Sequence, residues 1–180
     1  MSRLTIPTVY KESIMFTFRT RSALTALTLV AALGAAFVPL ASYAYDENST
    51  ASVNVDGQGV GLRGHDPVAY FTASAPTVGK SEFSASHAGV NYRFASAANR
   101  DAFKADPAKY APQFGGFCAM GVALEKKLDG DPNAWRVVDG KLYLNVNKDV
   151  QKKWLEDVPG NNRKAEGNWP KLHNKTPKSL

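Results

Sequence analysis

A chain of 180 residues with a single cysteine, Cys118, cannot close an internal disulfide, so its core has to come from apolar packing. The formal net charge of +6 overstates the basicity of the folded part, because Arg3, Lys11, Arg19 and Arg21 against Glu12 supply three of those units before residue 22. Several remaining basic residues (Arg163, Lys164, Lys171, Lys175, Lys178) crowd the end, not a face interleaved with aromatic readout groups, and nucleic-acid binding is set aside.

After Arg19 and Arg21, the run Ser22 to Val38 is small, apolar and uncharged, and it leads through Pro39 and Leu40 to Ser42-Tyr43-Ala44. This is the order of a signal peptide, with Ser42 and Ala44 at the −3 and −1 positions. The run matches the shortest membrane span, roughly 17 residues, so an uncleaved anchor is the structural alternative. Met15 opens a shorter basic leader than Met1 does and is the alternative start. Cleavage after Ala44 predicts a free periplasmic or secreted protein that touches a membrane only through its leader. The 136 residues then remaining of the 180 suit one domain.

In chain order, residues 45–59 read as a flexible leader and Gly57, Gly59, Gly61 and Gly64 as turn chemistry. Val68 to Thr72 has strand composition. Glu82 to His87 and Asn91 to Phe94 flank Ala88-Gly89 as an antiparallel hairpin. Ser96 caps a helix over Ala97 to Ala105, and Asp106-Pro107 restarts a helical turn. Ala119 to Lys127 is a further helical candidate, and Asp131-Pro132 repeats the cap-plus-proline signal. Asp139-Gly140 between two β-rich runs specifies a two-residue hairpin turn, with Leu142, Leu144 and Val146 on one buried face. Asn147 caps a helix carrying Val150, Trp154 and Val158, which Pro159-Gly160 ends, and Trp169-Pro170 packs to close the domain. Residues 171–180 read as a basic tail. The fold class predicted is α+β, a small single domain with antiparallel β-hairpins and short helices.

Cys118 follows Gly115-Gly116-Phe117 at the start of the helical candidate, where backbone N–H groups favour a thiolate. Against that, a cysteine beside Phe117 and Met120 also serves as a small core hydrophobe. The histidines His65, His87 and His173 form no local metal motif. A spatial site gathering Cys118 with His65, Asp66 and His87 would suit copper(I) or zinc. His87 lies at a hairpin turn, where a solvated imidazole is common, and His173 lies in the tail. Asp129, Asp131 and Asn133 begin a calcium-loop spacing, but Ala134 and Gly140 stand where glycine and glutamate are required. No hydrolase motif or spaced carboxylate pair marks an enzyme.

Gly64-His65-Asp66-Pro67-Val68-Ala69-Tyr70-Phe71, Tyr92-Arg93-Phe94-Ala95-Ser96, Asp106-Pro107-Ala108-Lys109-Tyr110, Gly115-Gly116-Phe117-Cys118-Ala119 and Gly140-Lys141-Leu142-Tyr143-Leu144-Asn145 together resemble the exported YHS-domain proteins of bacteria, over residues 60–170. The resemblance implies a periplasmic or secreted location without implying a reaction. Ala69 and Ala95 replace the cysteines that the wider family uses for metal, so that role does not carry over to those positions. The resemblance places any chalcogen chemistry at Cys118.

Three readings follow. The first is a non-catalytic metal-binding or metal-handling module, with Cys118 as the anchoring ligand and His65 or His87 as its partner. The second is a thiol-redox protein acting through Cys118. The third is a non-catalytic scaffold for a small ligand or a protein, with Cys118 in its core.

Overall fold

The computed structural model describes residues 46–180; the predicted signal peptide, ending at Ala44, lies outside the described residues. Two two-residue turns organise these residues. Ala88 and Gly89 adopt φ of 50° and 77°, and Asp139 and Gly140 adopt 49° and 72°. Consecutive positive φ values match the right-handed twist of paired strands, so each turn closes an antiparallel hairpin. The first hairpin joins β1 (Lys80–His87) to β2 (Val90–Phe94), and the second joins β3 (Asp131–Val138) to β4 (Lys141–Asn145). Each is its own two-stranded sheet, and helices complete a small α+β domain.

Side-chain caps set the helix starts. Ser96 accepts from the Asn99 N–H at the head of α2 (Ala97–Ala105), Asp106 from Lys109 at α3 (Pro107–Tyr110), and Asn147 from Val150 at α5 (Lys148–Glu156). Three local expectations are corrected. Val68 to Thr72 is not a strand: Asp66 accepts from the Val68 and Ala69 N–H groups and opens the short helix α1 (Ala69–Thr72). Asp131-Pro132 starts β3 instead of a helical turn, with the Pro132 carbonyl accepting from the Tyr70 hydroxyl at 3.0 Å. Pro159-Gly160 does not end the helical region either. Asp157 caps a new helix, α6 (Val158–Leu172), and Pro159 falls in the first turn, where a missing N–H costs nothing. The helical candidate at Ala119 stops early, as α4 (Ala119–Ala123), before Glu125 turns to a φ of 61°.

β4 is the centre of the domain because it is buried on both faces. Leu142 and Leu144 join Tyr70, Tyr92, Phe94 and Phe103 in one apolar cluster, while Tyr143 joins Phe117, Val122, Trp154 and Leu172 in another. The expected single buried face is therefore doubled, since α4 and α5 pack on β4 and α6, packed against α4, completes the second cluster. Each fully buried large side chain stabilises the fold by about 1.5–3 kcal/mol.

Lys127 links the two ends of the described chain. It is 1% exposed, and its ammonium donates to the carbonyls of Ala51 (2.8 Å), His173 (3.1 Å) and Lys175 (2.9 Å) while lying 4.7 Å from the Phe117 ring centre. Among the described residues no helix is long and apolar enough to cross a membrane.

Candidate functional site

Cys118 begins α4 and bridges in parallel to Leu144 on β4, which draws the thiol into the interior. Its exposure is 0%. Sγ accepts from the Gly121 N–H at 3.3 Å and donates to Asn145 Oδ1 at 3.7 Å. Burial pushes the thiol pKa above its ordinary value, and the backbone N–H groups of Gly121, Val146 and Met120 offset this only in part. The sulfur is therefore a neutral, enclosed thiol at neutral pH, the opposite of an activated nucleophile.

Asp66 is equally enclosed, and both its oxygens are occupied. Oδ1 accepts from Val68 (2.8 Å) and Ala69 (3.3 Å), and Oδ2 accepts from the Ala95 N–H (2.8 Å) and Asn99 Nδ2 (2.6 Å). The carboxylate ties α1, the end of β2 and α2 together. His65 is half-buried, with Nδ1 3.1 Å from the Leu62 carbonyl; since a carbonyl only accepts, Nδ1 carries the proton. Among the described residues, no three of the histidine, cysteine, aspartate and glutamate side chains come close enough to hold a metal ion. Cys118, His65, Asp66 and His87 thus do not come together as one donor set.

His87 stands apart from the other three. It ends β1, sets its ring 6.0 Å from Phe103, and lines a cleft of about 520 Å³. Across that cleft stand Trp169 and His173, whose rings are 6.1 Å apart at the end of α6, with Tyr92 from β2 also lining it. Ser52 and Val53 form another wall, held down by the Asn54 N–H, which donates to the Gly115 carbonyl at 2.8 Å, and by the Lys127 clamp on Ala51. Gly115 is required here: with φ at +61°, a Cβ would fall inside the Ser52 carbonyl oxygen.

The cleft has a volume typical of small-molecule sites. Among the described residues its lining includes two imidazoles, an indole and a phenol but no carboxylate. Tyr92 is 2% exposed, and burial raises its pKa to about 12, so the phenol stays protonated across the physiological range. From sequence, His173 falls in the basic tail and Trp169-Pro170 packs to close the domain, with no helix joining them. Ala165, Trp169 and Leu172 recur at helical spacing, and that periodicity was the available signal for a helix bringing them onto the domain.

A second groove of about 360 Å³ runs beside the Asp139-Gly140 turn and α6, with Asp139, Lys141, Arg163 and Glu166 on its walls. Its charges are mixed in sign and it gathers no histidine or tryptophan. Comparison with known proteins finds no matching family model, no matching curated protein and no matching solved structure.

Proposed function

We propose that this chain is an exported, non-catalytic binding domain of the YHS type, and that a small ligand occupies the cleft between His87 and His173. One observation carries the reading: the rings of His87, Tyr92, Trp169 and His173 line one cleft, while Cys118 is sealed into the core. A thiol-redox role needs an accessible, low-pKa sulfur, and a Cys118-anchored metal site needs donors beside it. The cleft needs neither.

Export is tested by expressing the full chain in a bacterium and weighing the protein from the periplasmic fraction. A mass corresponding to cleavage after Ala44 supports the reading, and retention of the full chain in the membrane fraction overturns it. The binding role is tested by thermal-shift screening of small molecules, with zinc and copper(I) as separate arms. Ligands that stabilise the protein and its Cys118→Ala variant equally, but fail on Trp169→Leu, support the cleft. Stoichiometric metal binding abolished by Cys118→Ala would instead establish the thiol as the site.

A further inference from the structure

We propose that the ligand of the His87–His173 cleft is a small aromatic carboxylate, its ring against Trp169 and its carboxylate received by the Tyr92 hydroxyl and the two imidazoles. This assignment rests on the cleft being the binding surface of the domain.

The phenol of Tyr92 is the most specific sign of a polar ligand. The residue is 98% enclosed, being 2% exposed, yet among the described residues its hydroxyl has no hydrogen-bond partner. A buried hydroxyl is ordinarily paired, because leaving it unpaired forfeits its hydration without return. Fully buried orphan polar atoms occur elsewhere, at Asn145, Trp154 and Asn162, and the Tyr92 oxygen is not among them. Its oxygen therefore keeps some exposure, and Tyr92 lines the cleft. A protonated phenol donates, so the group that completes it is an acceptor.

The charge around that donor selects an anion. Among the described residues the cleft wall contains no aspartate or glutamate, and both histidines on it have unpaired ring nitrogens. An imidazole can donate a hydrogen bond in either protonation state, and a donor to a carboxylate makes a stronger bond than a donor to a neutral acceptor. The Lys127 ammonium, bound to the backbone carbonyl of His173, adds positive charge behind the same wall. A cation would meet no compensating carboxylate there.

The remaining wall selects a flat apolar body. Trp169, Pro112, Pro170 and Val53 line it, and Trp169 is itself propped by Phe114 and Phe117 at ring distances of 5.9 and 6.0 Å. An indole held in place this way presents a preset face for stacking, with little rotamer freedom left to lose on binding.

The test titrates the purified, uniformly ¹⁵N-labelled protein with 1-naphthoate and, separately, with its neutral counterpart 1-naphthamide. Perturbations of the Trp169 indole N–H and of the His87 and His173 ring signals are followed by NMR. The expected result is saturable binding of 1-naphthoate at the cleft, about tenfold tighter than the amide. Tyr92→Phe, which keeps the ring and the packing, should weaken 1-naphthoate by about fivefold to tenfold and leave the amide nearly unchanged. Equal binding of acid and amide at these residues overturns the carboxylate assignment while leaving the cleft as a binding surface. Failure of both compounds to move Trp169, His87 or His173 overturns the carboxylate assignment as well. If a thermal-shift screen likewise finds no ligand lost on Trp169→Leu, the cleft itself falls as the binding surface. Perturbation of the two histidines by zinc alone, with no response to 1-naphthoate, replaces the aromatic acid with a metal ion and overturns the proposal.

Discussion

The side-chain oxygen of Asn145 serves two donors at once, the Cys118 thiol at 3.7 Å and the Met120 backbone N–H at 3.3 Å. The cysteine is thereby built into the junction between β4 and α4, and its chemistry is that of a core residue. Replacing it with alanine should cost about 1–2 kcal/mol, from lost packing and two lost sulfur hydrogen bonds, and leave ligand binding at the cleft unchanged. Urea denaturation paired with the binding assay checks both halves. A variant of wild-type stability that has lost binding would contradict the assignment.

The same thiol gives a pH dependence with a definite sign. Its folded pKa is raised above the unfolded value of about 8.5, so the neutral thiol contributes stability that is complete below that pH. The contribution is lost as the pH rises through the folded value, because only the unfolded chain ionises freely in that interval. The stability advantage of the wild type over Cys118→Ala should therefore be largest near pH 7 and narrow above about pH 9. Urea midpoints of the two proteins at pH 7, 9 and 10 measure it. Iodoacetamide should modify native Cys118 far more slowly than the unfolded chain at every one of these pH values.

Asp66 holds four donors from three elements, and Asn99 supplies one of them. Asp66→Asn turns an amide NH₂ toward two of those donors and should cost about 2–4 kcal/mol, whereas Asn99→Ala should cost about 1 kcal/mol. Thermal unfolding of both variants separates a clasp from a metal ligand: zinc or copper(I) should not shift the melting temperature of the wild type more than that of Asp66→Asn.

Glycine substitutions probe the cleft wall against a neutral site. Gly115→Ala forces a Cβ into the Ser52 carbonyl at a left-handed φ and should cost more than about 2 kcal/mol, loosening the segment of residues 52–54 over the cleft. Gly167 lies inside α6 with nothing within 4 Å of an added Cβ, and Gly167→Ala should stabilise the protein by about 0.5–1 kcal/mol. Calorimetric melting temperatures moving in opposite directions are the expected readout.

Lys127→Met removes three hydrogen bonds to carbonyls at the two ends of the described chain and should destabilise by about 2 kcal/mol. Hydrogen exchange should speed up at residues 51–54 and 172–175 before it does in β4. Uniform acceleration across the domain would mean that Lys127 supports the core and not the ends.

What the sequence determined on its own lies within reach of a few residues. The turns at Ala88-Gly89 and Asp139-Gly140 and the caps at Ser96, Asp106 and Asn147 were legible because positive-φ tolerance and side-chain-to-backbone hydrogen bonds act over two to four positions. Proline was ambiguous at this range. Pro159 serves as a helix start as readily as a stop, and only the Asp157 cap together with the burial of Ala165 and Leu172 decided for α6. The tertiary structure alone decided which groups are accessible. Whether Cys118 is reactive depends on the cover supplied by β4 and Asn145, and whether His173 joins His87 depends on where α6 docks. Accessibility, desolvation and the meeting of side chains are set by segments distant in sequence, whose approach follows from the packing of whole elements and is written in no local pattern.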